Sequence, residues 1–194
     1  CLIESKHDVA AVLTQTDKPK GRKGKPEAPP VKNIALDAGL QVIQPENVNS
    51  EQVIEELEKL SPDVIVVVAF GQKISDKILN LPKHKCVNIH ASLLPKYRGA
   101  APINWAVVNG EKETGITTII MSNKMDAGDV IIRKSLTIGP EETAGELGNR
   151  LSRLGAETLL DSLTQIETGD AKYTQQDESL VSLAPKIKKK TVLL

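Results

Sequence analysis

The chain has 194 residues, 40% of them apolar, with 25 basic and 25 acidic side chains for a formal net charge of +0. That length suits one domain with a substantial core, and the longest apolar run, residues 64–70, is far short of the roughly 20 residues a membrane-spanning helix needs. One Phe, two Tyr and one Trp predict an aliphatic core without the base-stacking platforms that bind single-stranded nucleic acid, and Cys1 and Cys86, far apart, argue against a disulfide framework and suit a reducing compartment.

In chain order, β-branched runs predict strands over 8–14, 41–43, 63–70, 86–90, 114–121 and 130–138. Between the first two, Lys18, Lys20, Arg22, Lys23 and Lys25 crowd a Gly- and Pro-containing stretch, so the neutral total hides a local basic patch. Pro30 suits the first turn of a helix over 31–38 that Gly39 ends. Ser50 is the expected cap of a second helix, in which Val53, Ile54, Leu57 and Leu60 recur at helical spacing. The run "DVIVVVAF" is apolar on both faces, as a central parallel strand requires. Thr143 and Glu146 have capping-box spacing before a long stripe of Leu147, Leu151, Leu154, Leu159, Leu160, Leu163 and Ile166 that Gly169 ends. Strands alternating with helices in this way predict an α/β fold, a mainly parallel sheet covered by helices on both faces. After Gly169 the chain turns polar, then basic at Lys186, Lys188, Lys189 and Lys190, where a linker is expected to begin.

The chemistry concentrates near the strand at 86–90. Asn88 and His90 are two apart, so they project to one face where that strand ends, the end at which open α/β sheets bind ligands. An amide donor beside an imidazole suits acyl transfer, which needs an oxyanion held and a proton moved. The loop "MDAGDVI" adds Asp126 and Asp129. If it folds against that strand, Asp126 can hydrogen-bond His90, fix its tautomer and favour positive charge on the ring, while Asp129 leads the next strand. His84, Cys86 and His90 suggest zinc only weakly, because a fourth ligand at convincing spacing is missing. The phosphate-loop, dinucleotide and nucleophile-elbow motifs do not occur. Cys86, inside an apolar strand, reads as core and not as a nucleophile.

"NIHASLLPKYRGAAPINWAVVNGEKETGIT" followed by "MDAGDVI" resembles the 10-formyltetrahydrofolate-dependent formyltransferase family, and within it the members that formylate initiator methionyl-tRNA. The likeness extends through "VLTQTDKPKGR", "QPENV", "PDVIVVVAFGQ", "TAGELGNRLSRLGAETLL" and "LAPKI".

This resemblance implies a Rossmann-like formyltransferase fold and a soluble monomer acting in translation initiation, in the bacterial cytoplasm or in a mitochondrion or plastid. It implies Asn88, His90 and Asp126 as catalytic residues, Ser92, Leu93, Leu94 and Pro95 as part of the site for 10-formyltetrahydrofolate, and Arg22, Lys20 and Lys23 as contacts to initiator methionyl-tRNA, with no metal. The basic stretch would then be a flexible loop that orders on a polyanion. Against the family pattern a first strand and a C-terminal barrel domain are missing, so 1–185 are expected to form the catalytic domain without that strand and 186–194 the start of a linker. Two rival readings are a formyltransferase for a small amine, such as a purine-precursor ribonucleotide or an amino sugar, and a catalytically silent tRNA-binding domain.

Overall fold

The computed structural model describes residues 1–20 and 24–187. In chain order its elements are β1 (Val12–Leu13), β2 (Lys18–Lys20), β3 (Lys25–Glu27), α1 (Pro30–Asp37), β4 (Val42–Ile43), α2 (Glu51–Leu60), β5 (Ile65–Val67), α3 (Asp76–Leu79), β6 (Cys86–His90), α4 (Pro102–Val108), β7 (Glu113–Ile120), β8 (Val130–Thr137), α5 (Ala144–Thr168) and a 3₁₀ turn (Glu178–Leu180). The sheet order is β5-β6-β7-β8, and β1 and β4 form a separate two-stranded ladder.

Local chemistry accounts for most helix ends. Pro30 occupies the first turn of α1, where a missing N–H costs nothing, and Gly39 after it takes φ 71°. Thr143 and Glu146 exchange the two hydrogen bonds of a capping box, and Gly169 closes α5 in the left-handed conformation at φ 77°. Ser50 does sit at the N-cap of α2, but its side chain makes no capping bond. That helix is held by its packed stripe of Val53, Ile54 and Leu57.

Helices cover both faces of the sheet because successive β6 residues point to opposite sides. Cys86 joins Val53, Ile54 and Leu57 of α2 and Ile78 and Leu79 of α3 in one cluster, together with Leu13 and Ile65. Val87 joins Leu159, Leu163 and Ile166 of α5 in another. Leu147 and Leu151 extend the α5 contact onto Ile116, and each such fully buried leucine contributes about 1.5–3 kcal/mol. Two polar groups lie within the α5 face without cost, since the Ser162 and Thr118 hydroxyls bond each other at 2.7 Å.

The α/β class stands, but the sheet is mixed instead of mainly parallel. The β1–β4 and β5–β6 ladders are parallel, whereas β6–β7, β7–β8 and the β2–β3 hairpin are antiparallel. The loop from β7 to β8 carries no helix, and a parallel return would need a long crossover. Nor is β5 the middle of its sheet: it is an edge with β6 on one side. Its side chains are still shared between two clusters, Ile65 and Val67 in one and Val64 and Val66 in the other. Hydrophobic patterning reports which faces are covered, not whether a ladder continues.

The basic stretch also differs from expectation. Lys18–Lys20 and Lys25–Glu27 pair as a hairpin, Lys18 opposite Glu27, instead of forming an open loop. Its base is fixed by Asp17, which accepts from Lys32 and Gln44 and whose carboxyl is held below the usual range chiefly by those bonds. Among the described residues no helix is long and apolar enough to cross a membrane.

Candidate active site

The Cys86–Asn88–His90 face of β6 changes character along its length. Cys86 is fully buried against α3, its Sγ 3.6 Å from the Ile78 carbonyl, and burial pushes its thiol up to about 12. It is core, not a nucleophile. Asn88 is half-buried, and its side-chain amide bonds to no described residue. His90, 5% exposed, ends the strand.

Register carries this face across the sheet. Asn88 pairs with Ile119 and His90 with Thr117 on β7, while Val130 on β8 pairs with Ile119. Leu94, 1% exposed, packs on Ile119 and Val130, so the loop that follows His90 folds back over the same face. Its polar groups are tied down. The Thr117 hydroxyl donates to the Ser92 carbonyl at 2.6 Å and accepts from the Leu94 amide at 3.0 Å. Ser92 Oγ donates to the Lys96 carbonyl and Arg133 Nε to the Leu94 carbonyl. Of the four residues expected at a folate site, Ser92 and Leu94 are therefore turned inward, and Leu93 and Pro95 are half-buried. The Leu94–Pro95 peptide is cis.

His90 is oriented by a group that no side-chain motif reveals. Its Nε2 lies 2.8 Å from the Tyr97 carbonyl oxygen, and since a carbonyl only accepts, this nitrogen carries the proton. The neutral ring thus presents a lone pair at Nδ1, which faces Asp126 Oδ2 at 3.7 Å. That separation is too long for a hydrogen bond, and the carboxylate attracts Nδ1 only when that nitrogen carries a proton as well, so Tyr97 and not Asp126 sets the tautomer. Tyr97 holds a left-handed backbone, φ 62°, and its ring is anchored by bonds from its hydroxyl to Glu111 and from Asn109.

Asp126 reaches His90 by an indirect route. Because β7 is antiparallel to β6, the loop after it leaves at the Cys86 end, where the Met121 amide bonds the Cys86 carbonyl. The loop then returns to the His90 end. Asp126 takes φ 50°, and the Gly99 amide donates to its Oδ2 at 2.9 Å. Gly128 is required by packing: a Cβ there would meet the Ile120 carbonyl oxygen at 1.7 Å. Asp129 is exposed and leads β8, as expected, its carbonyl accepting from the Ile120 amide.

The structure thus brings His90 and Asp126 together on the face that carries Asn88. Lys20 ends β2, while Arg22 and Lys23 lie outside the described residues. Sequence reasoning missed the Tyr97 carbonyl, the Gly99 amide and Thr117. The first two are backbone groups without a residue-type signal, and Thr117 looks like any β-branched strand residue. Among the described residues no group of three or more His, Cys, Asp or Glu is placed to hold a metal ion.

The chain as a whole is similar to known formyltransferases. The family model described as formyl transferase matches residues 2–163. The methionyl-tRNA formyltransferase of Geobacter metallireducens is 50% identical over 193 residues, 100% of this chain and 62% of that protein, and the one of Geobacter sulfurreducens is 49% identical with 61% of its length covered. The chain therefore spans less than two thirds of these curated relatives. Among solved structures, WlaRD, a sugar 3N-formyl transferase determined with dTDP and 5-N-formyl-THF, shares the fold at TM-score 0.69 and 22% identity, over 94% of this chain and 61% of that one. With the model matched over most of its length, the chain belongs to the formyl transferase family.

Proposed function

We propose that the protein containing this chain transfers the formyl group of 10-formyltetrahydrofolate to the amino group of methionine on initiator methionyl-tRNA. The observation that carries the chemistry is the His90–Asp126 pair on the face where Asn88 keeps an unpartnered amide. The identity to methionyl-tRNA formyltransferases supports the acceptor, and the 5-N-formyl-THF present in the WlaRD structure supports the donor.

In this reading the acceptor amine adds to the formyl carbon, a carbon–nitrogen bond forms, the bond from that carbon to N10 of the folate breaks, and one proton passes from amine to N10. Asn88 donates to the formyl oxygen as negative charge develops on it. His90, with Nε2–H fixed on Tyr97, takes up and releases a proton at Nδ1. Asp126 stabilises the resulting imidazolium and aligns the amine. The half-exposed loop of Leu93 and Pro95, with backbone groups fixed through Thr117 and Arg133, supports the folate.

In this reading residues 1–185 form the catalytic domain, and the linker expected over 186–194 lies from residue 188 onward outside the described residues. Lys20, Arg22 and Lys23 meet the tRNA backbone as sequence-independent phosphate contacts. The enzyme works as a monomer in the cytoplasm.

The deciding experiment assays the full-length protein with 10-formyltetrahydrofolate against charged initiator tRNA, a purine-precursor ribonucleotide and an amino-sugar nucleotide. Formylation of the tRNA alone is expected. Preferential transfer to a small amine would replace this reading, and tRNA binding without transfer would indicate a silent module.

A further inference from the structure

We infer that the segment following α5 is a positioning strap, in which Gln176, backed by Arg98, fixes Asp126 against His90, while Ser182 fixes the Tyr97 peptide that orients the imidazole. This rests on the reading above that His90 and Asp126 act in formyl transfer.

Gln176 is 4% exposed, and every polar group of its amide is used. Its Nε2 donates to the carbonyls of Asp126 and Gly128, both at 2.8 Å. Its Oε1 accepts from Arg98 Nη2 at 2.8 Å and Nε at 3.1 Å. Only a neutral amide offers two donors and an acceptor in this arrangement. Arg98, 7% exposed, is held from its other side by Glu178, at 2.9 and 3.3 Å. The chain Glu178–Arg98–Gln176 therefore ends on the backbone of the aspartate loop.

The same segment holds the histidine side. Ser182 Oγ accepts from the Tyr97 amide at 2.9 Å, and Tyr97 offers its carbonyl to His90. The backbone adds bonds from the Arg98 amide to the Ser182 carbonyl and from the Ala184 amide to the Arg98 carbonyl, and Thr174 exchanges a pair with Val130. Tyr97 and Asp126 both have left-handed backbones, at φ 62° and 50°, a conformation that an aspartate tolerates and that a bulky tyrosine keeps only where its surroundings impose it. One strap thus spans the two loops whose separation sets the 3.7 Å between His90 and Asp126.

The test uses the full-length enzyme with Gln176→Met, close in shape but unable to donate to either carbonyl, and Gln176→Glu, which keeps an acceptor for Arg98 and loses both donations. For each, kcat should fall roughly ten- to a hundredfold while the KM for 10-formyltetrahydrofolate changes less than about threefold. Added to Asp126→Asn, Gln176→Met should cost less than about a further twofold, because its effect runs through the same carboxylate. A full additive loss in the double variant, or a Gln176→Glu enzyme with parental kcat, overturns the strap. Should the parent enzyme transfer no formyl group, the functional reading alone fails. The strap is then decided by ¹⁵N NMR of the His90 ring, whose Nδ1 signal Gln176→Met must shift. An unmoved signal overturns it.

Discussion

His90 Nδ1 faces Asp126 Oδ2 at 3.7 Å, and the same carboxylate oxygen accepts a 2.9 Å hydrogen bond from the Gly99 amide. Asp126 is thus attached at Gly99 to the same loop whose Tyr97 carbonyl fixes the ring it faces. Asp126→Asn retains an oxygen for Gly99 and removes the charge opposite the imidazole. Formyl transfer should fall by about 10²-fold or more, with the thermal midpoint within a few degrees of the parent. A normal rate would leave Asp126 as a loop anchor only.

Asn88 has the one side-chain amide on this face of β6 without a bonded partner, so its removal leaves no buried group orphaned. Asn88→Ala is expected to lower turnover on the order of 10²- to 10³-fold and to leave folate binding, measured by calorimetry, nearly unchanged. Parallel losses of binding and turnover would assign Asn88 to the folate site instead of the oxyanion.

Thr117 holds the loop after β6 through two bonds made by one hydroxyl. Thr117→Val keeps the shape and strands the Ser92 carbonyl and the Leu94 amide. Urea unfolding should show a loss of about 1–3 kcal/mol. A stability equal to the parent's would mean that the loop finds other partners.

Two glycines should respond in opposite directions. In Gly128→Ala the new methyl group collides with the Ile120 backbone, so the aspartate loop must move, and both stability and transfer should drop. In Gly148→Ala, within α5, the nearest atom is Ile103 Cδ1 at 3.9 Å. That variant should gain about 0.5–1 kcal/mol from helix propensity, seen as a higher urea midpoint.

Acid should loosen the strap. Bonding to Arg98 holds the Glu178 carboxyl below its ordinary value of 4.5. A depressed folded-state value means that the contribution is complete above the ordinary one and is lost as pH falls through the lower one. Thermal midpoints recorded downward from pH 5 should therefore decline less steeply in Glu178→Gln than in the parent. Identical slopes would show that the pair is screened by solvent.

The strands β1 and β4 to β8 and the helices α1, α2 and α5 were legible in the sequence, because spacing at two or 3.6 residues records which side of an element is covered; α3, α4 and the β2–β3 hairpin were not. β6 falls exactly where its β-branched run lies, and the capping box and Gly169 mark both ends of α5. The sequence read less well where hydrogen-bonding direction mattered: apolar content on both faces of 64–70 could not distinguish an edge from a centre, nor a parallel neighbour from an antiparallel one. Asn88, His90 and Asp126 stood out by residue type and position.

What this sequence determined by itself was the alternation of elements, the two covered faces of the sheet and the polar pair at the end of β6, all of them consequences of local periodicity. Tertiary structure alone decided that a peptide carbonyl sets the His90 tautomer, that Asp126 returns across the sheet, and that Gln176 ties its loop to Arg98. Those are contacts of a side chain with a backbone group, or between residues 50 and 78 positions apart, and neither leaves a repeating pattern along the chain.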